Sequence, residues 1–140
     1  MCSRVGAYYS LMKMHLEAST QNLISHYGPG LLSVNGHDYH SNILVSENEV
    51  FENWYTGSVS DLTLDAFARF LDSEDRAKTE ILLLGSGSEH VFPPFSLIAE
   101  FKQIGISLEV MNTRAACRTY SVLVNEYRPV AAALFQIQSQ

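Results

Sequence analysis

Positive charge is scarce in this chain. Nine Lys and Arg stand against fifteen Asp and Glu among 140 residues, a formal net charge of -6. Phosphate neutralisation needs clustered Lys and Arg, so a dedicated nucleic-acid binder is not expected. Cysteine is scarcer still. Cys2 and Cys117 are too few for a disulfide framework, and a reducing cytoplasm is their natural setting. No stretch approaches the ~18 consecutive apolar residues of a membrane span. Internal repeats and low-complexity tracts are lacking too. So are complete catalytic signatures: neither G-x-x-x-x-G-K-[ST] nor G-x-S-x-G occurs. His37 and His40 are three apart in an expected strand, so they point to opposite faces and make a poor metal pair. No metal or cofactor is expected.

What is present suits one globular domain. Hydrophobic residues make up 46% and charged residues 17%. A chain of this length buries roughly two-thirds of its unfolded surface, enough for a core without staples. Residues 1–18 are expected to be a flexible tail. Their apolar run "VGAYYSLM" is short, broken by tyrosines and a serine, and followed by Lys13 without a cleavage pattern. Met1, Met12 and Met14 are alternative starts. Residues 19–140 are expected to form a single α/β domain.

The two halves of that domain differ in periodicity. From Asn22 to Tyr55 the chain is rich in β-formers and turn residues. Gly28-Pro29-Gly30 separates two apolar runs, and Asn35-Gly36 is a two-residue hairpin signal. Ile43–Val45 and Val50–Tyr55 follow, which predicts a meander of short antiparallel strands. Beyond it, strand and helix alternate. Leu64, Phe67, Ala68 and Leu71 mark one face of a helix capped by Thr63. Ile81–Leu84 is continuously apolar, as in a strand buried on both faces. Pro94 opens a helix that Phe95, Ile98, Ala99 and Phe101 carry to Gly105, its stop. Ile106–Met111 predicts a strand, Thr113 caps a helix to about Glu126, and Val130–Phe135 forms a final strand. Strand-helix-strand-helix-strand with short links requires parallel pairing by right-handed crossovers.

The row "ILLLGSGS" raises the functional question. A dinucleotide fingerprint needs a third glycine at the start of a helix, and here Ser88-Glu89-His90 follows instead. The glycines are better explained as a corner, through positive φ or close backbone approach. Ligands in open α/β sheets nevertheless bind outside the carboxyl ends of the strands. Gly85, Ser86 and Gly87 end one such strand, and Asn112 and Thr113 end another. The last helix presents a mostly apolar arc, with Ala116, Tyr120 and Leu123 expected in the core. Its polar stripe holds Arg114 and Arg118. Together these residues form a candidate rim for an anionic or nucleotide-like ligand, with hydroxyls and loop amides donating and the arginines supplying charge. An ion-paired or solvated arginine is the plainer explanation of Arg114. Ser86, Glu89 and His90 are hydrolase residue types, but adjacency in sequence does not make a triad. Cys117 reads as a small core residue, and Trp54, Tyr55 and Phe51 as core or interface aromatics.

Taken together, "YGPGLLSVNGHDYHSNILV", Trp54, "EILLLGSG", "FPP", "GISLEVMNTRAACRTYSVLVNE" and "RPVAAAL" resemble a small uncharacterised-domain family. It includes bacterial and archaeal proteins, an animal adipogenesis-associated protein and a mitochondrial respiratory complex I assembly factor. The resemblance covers roughly Asn22 to Leu134. It implies a three-layer single-domain α/β fold with a mixed central sheet, in agreement with a β-rich N-terminal half and a βαβαβ C-terminal half. Members often carry threonine where this chain has Ser86, aspartate for Asn112, asparagine for Ser121 and glycine for Tyr127. The last departure predicts a different helix ending, with Pro129 as the stop.

The resemblance implies no agreed catalysis. The expectation is therefore a non-enzymatic cytoplasmic protein that binds a protein partner. Assembly of a membrane respiratory complex, at the periphery of the inner membrane, is the role carried over by analogy. The rim ligand site is the alternative.

Overall fold

The computed structural model describes residues 21–139, so the expected tail at residues 1–18 lies outside the described residues. The chain there forms two sheets with helices between and around them. Strands β1 (Ile24–Gly28), β2 (Leu31–Val34) and β3 (His37–Tyr39) make a three-stranded antiparallel sheet. The β2–β3 turn has Asn35 at φ 53° and Gly36 at φ 82°, the two successive positive angles that match the twist of a hairpin.

The expected meander does not continue. Strands β4 (Ile43–Val45) and β5 (Val50–Glu52) leave the small sheet and join a five-stranded one in the order β5-β4-β8-β6-β7. Its other members are β6 (Ile81–Gly85), β7 (Ser107–Met111) and β8 (Val130–Leu134). β6 pairs in parallel with both β7 and β8, and β8 pairs antiparallel with β4, so the sheet is mixed.

Alternation along these strands divides the core into two layers. Leu44, Leu82, Leu84, Ala131 and Ala133 face one side, against Trp54, Phe67, Phe70, Leu97 and Phe101. Ile43, Val45, Leu83, Ala132 and Leu134 face the other. There they meet Leu32 and Val34 of the small sheet together with Ala116, Cys117, Tyr120 and Val124. Four of the five β8 positions are thus small or β-branched, which lets the strand sit between two covered faces.

The segment after β5 departs from its expected helix. A 3₁₀ turn at Leu64–Phe67 precedes helix α1 (Ala68–Leu71), and Thr63 makes no side-chain cap. The backbone N–H of Ala66 donates to the Thr63 carbonyl at 3.1 Å, an i→i+3 bond. Three residues per turn carry the apolar face from Phe67 to Phe70, both buried, and leave Ala68 exposed. A further short helix, α2 (Asp75–Lys78), leads into β6.

Helix α3 (Phe95–Gln103) buries Leu97 and Phe101, one turn apart, and Gly105 at φ 84° ends it. Phe95, expected on the apolar face, stands out in solvent. Helix α4 (Thr113–Asn125) is capped by Asn112, whose Oδ1 accepts the Ala115 N–H at 2.9 Å, and not by Thr113. Ala116 and Tyr120 are fully buried, Leu123 partly so, and Val122 is exposed. The helix ends as though Tyr127 were glycine. Tyr127 takes φ 59°, its N–H bonds to the Val124 carbonyl at 3.0 Å, and the Arg128 N–H bonds to the Leu123 carbonyl at 2.9 Å. That is the paired 6→1 and 5→2 arrangement normally closed by glycine. The backbone bonds retain the ending that the missing glycine suggested was lost.

Candidate functional site

The carboxyl ends of β6 and β7 meet as expected, and β8 joins them. Gly85 lies opposite Met111 on one side and Leu134 on the other. A side chain at Gly85 would meet Leu134 Cδ2 at 2.9 Å and the Thr113 backbone Cα at 3.0 Å, so this glycine permits a close approach. Gly87, at φ 97°, turns the chain through a region that side chains disfavour.

The hydroxyls of this corner bind the protein's own backbone. Ser86 Oγ donates to the Glu89 carbonyl at 2.5 Å and accepts the Val91 N–H at 3.0 Å. Thr113 is buried at the first helical position of α4. Its Oγ1 accepts the Gly87 N–H at 2.8 Å and donates to the Phe135 carbonyl at 2.7 Å. The Thr113 N–H in turn donates to the Gly87 carbonyl at 2.8 Å. One side chain therefore joins the turn after β6, the start of α4 and the exit of β8. The one proton of the Thr113 hydroxyl is thus committed to the protein's own backbone and is not free to donate to a guest.

Outside this joint lies a cleft of about 620 Å³. Ser86, Gly87 and Ser88 line it together with Thr56 to Ser60, Gln136 and Gln138. Its framework is pinned. Asn42 Oδ1 accepts the Gln136 N–H at 2.8 Å, and Gln136 Nε2 donates to the Tyr39 and Ser41 carbonyls at 3.0 and 2.7 Å. Among the described residues, Glu89 is the charged residue of the lining, and no Lys or Arg shares it.

Of the candidate rim residues, the structure brings Gly85, Ser86, Gly87, Asn112 and Thr113 together. Arg114 and Arg118 lie apart, exposed on α4 and absent from the cleft lining. The helix positions separate them: Thr113 turns inward, and the polar stripe falls on the far side. Ser86 and His90 share no hydrogen bond among the described residues. Ser86 holds backbone groups, and the His90 ring packs on Phe92 with centroids 4.6 Å apart. Cys117 is fully buried, and burial pushes its thiol up to about 12, although Arg118 and Arg114 pull the other way. A thiol so protonated is a poor nucleophile.

The lining residues Thr56 to Ser60 and the two glutamines were not legible as part of this rim. They come from chain segments far apart in sequence, and no local motif marks them. Serine and glycine in "TGSVS" signal a loop, but not which loop it faces.

Comparison with known proteins follows the same geometry. Residues 24–135 match the family described as Protein of unknown function (DUF498/DUF598). NADH dehydrogenase [ubiquinone] 1 alpha subcomplex assembly factor 3 of Danio rerio is 32% identical over 125 residues, covering 89% of this chain and 70% of that protein. The 13 kDa major membrane protein of Francisella tularensis is 30% identical over 108 residues, 77% of this chain and 85% of that one. Among solved structures, an outer membrane protein from Bartonella henselae superposes with a TM-score of 0.72 at 29% identity, covering 84% of this chain and 97% of that one.

Proposed function

We propose a function from one premise: the chain belongs to the family described as Protein of unknown function (DUF498/DUF598). It works by binding another protein, as a non-enzymatic factor in the assembly of a membrane respiratory complex. The observation that carries this reading is the similarity to a NADH dehydrogenase assembly factor along most of the chain. The corner chemistry supports it, because the Ser86 and Thr113 hydroxyls serve the protein's own backbone. Among the described residues no helix is long and apolar enough to cross a membrane. The proposed place of action is the cytoplasm, at the periphery of the inner membrane. An anionic or nucleotide-like ligand is the weaker reading, since both arginines lie off the cleft and Glu89 lies in it.

Deletion of the gene, followed by native gels of solubilised membranes and an NADH:quinone activity assay, tests the assembly role. The expected outcome is less assembled complex, an accumulation of subassemblies, and recovery when the gene is restored. Unchanged complex content and activity would refute it.

A further inference from the structure

The segment from the end of β6 into the first turn of α3 puts aromatic side chains where the fold has no use for them. Val91, Phe92 and Phe95 are 39%, 51% and 76% exposed, while their neighbours Pro93 and Leu97 are buried. The rings form a continuous surface: His90 and Phe92 lie 4.6 Å apart between centroids, and Phe92 and Phe95 6.1 Å apart. The ridge is also held in place. The Val91 N–H is bonded to Ser86 Oγ, and the Leu97 N–H to the Pro94 carbonyl at 3.0 Å. A preformed surface of this kind loses little conformational freedom when something docks on it. Contiguous exposed apolar area of this sort marks interaction sites.

Beside the ridge runs a groove of about 470 Å³, which Pro94 borders. Asp61, Asp65 and Glu100 line it, all three exposed, with no Lys or Arg among the described residues of the lining. Asp61 accepts a hydrogen bond from Ser58 Oγ at 2.9 Å, which leaves its charge in place.

We propose that this ridge and groove together form the docking surface for a Lys- or Arg-bearing apolar segment of a partner protein. The proposal rests on the protein-binding reading above and deepens it. Charge selects the occupant. A cationic side chain entering the groove meets three carboxylates, Asp61, Asp65 and Glu100. An apolar residue next to it covers the ridge. An anionic lipid surface would be repelled by the carboxylates. A second copy docking by two-fold symmetry would set acidic groove beside acidic groove.

The test places the photo-crosslinking residue p-benzoylphenylalanine at position 95 in the full-length protein in its native cells, with the exposed position 122 of α4 as a second site. Crosslinked peptides are identified by mass spectrometry. The expected result is a crosslink from position 95 to a segment of another protein with net positive charge and apolar residues. Asp61→Lys with Glu100→Lys should cut its yield at least about tenfold, the factor equivalent to 1.4 kcal/mol. The melting temperature of that variant, measured alongside, shows that it is folded. Phe92→Ser, a surface change, should weaken the same crosslink and serves if charge reversal does not fold. Crosslinks to an acidic segment, to lipid or to a second copy would overturn the proposal, as would a yield unmoved by these substitutions. A partner captured from position 122 alone would overturn it and leave the protein-binding reading standing. No protein captured from either position would overturn both.

Discussion

Thr113 shows how much one side chain can decide. It is small enough to lie under the close approach at Gly85, and its hydroxyl both accepts and donates in a buried place. Valine has the same shape without that chemistry. Thr113→Val leaves the Gly87 N–H and the Phe135 carbonyl without this partner, each a loss of about 1–3 kcal/mol when buried. The expected destabilisation is roughly 2 to 6 kcal/mol, read as a lower denaturant midpoint with an unchanged slope. Thr113→Ser should restore most of it, because the hydroxyl returns. If valine and serine behave alike, packing and not hydrogen bonding holds the joint. The sequence marked Thr113 correctly as a strand-end residue but misjudged its task. A threonine before a helical pattern suggests a cap, and only the presence of Asn112 one place earlier frees it for another use.

At the scale of elements, α2 is short yet carries a fixed charge. Burial opposes ionisation of Asp75, but hydrogen bonds from Ser46 and from the side chain and backbone of Asn48, with Lys78 nearby, hold its pKa below the ordinary carboxylate value. The contacts measure 2.5 Å from Ser46 Oγ, 2.8 Å from the Asn48 N–H and 2.9 Å from Asn48 Nδ2. Asp75 so ties α2 to the β4–β5 turn. A carboxylate whose pKa falls on folding stabilises the protein above its unfolded value of about 3.9 and loses that contribution as pH drops through the folded value. Denaturant stability should therefore decline below about pH 4. Asp75→Asn, weaker at neutral pH, should show a flatter decline there, and identical acid slopes would show that Asp75 carries none of it.

Elements with a strict local code were legible: β6 from its unbroken apolar run, the β2–β3 hairpin from Asn35-Gly36, α4 from its wide apolar arc. Those set by contacts distant in sequence were not. The β4–β5 pair leaves the meander because β4 pairs with β8, 89 residues away in the pairing of Leu44 with Ala133. Phe95 fits a helical period yet lies outside the face that packs, since the period gives spacing and not the direction of the core.

For the molecule as a whole, stability should be unequal. β6 and β8 are central in the larger sheet and covered on both faces, whereas the three-stranded sheet has an exposed side. Native-state hydrogen exchange should find the slowest amides in Leu82–Leu84 and Ala131–Ala133, with β1 and β3 exchanging sooner through local opening. Uniform protection across both sheets would mean that they open only together. The layered α/β architecture was legible from the alternation of strand and helix. The split into two sheets was not, because strand order is decided by which edges meet in space. The candidate site divides the same way. Its β6 and β7 corner could be read from the strand ends, while the lining at Thr56 to Ser60 depends on that spatial order.

The position of β8 also bears on how the protein is made. Translation delivers β4 and β5 early and β6 and β7 later, yet the strand that joins these pairs is translated after all of them. Until Val130–Leu134 leaves the ribosome, the nascent chain holds two half-sheets, each with an open inner edge that another chain could pair with. The larger sheet closes only when that last strand slides between them, so an interrupted message yields a sticky fragment and not a smaller working protein.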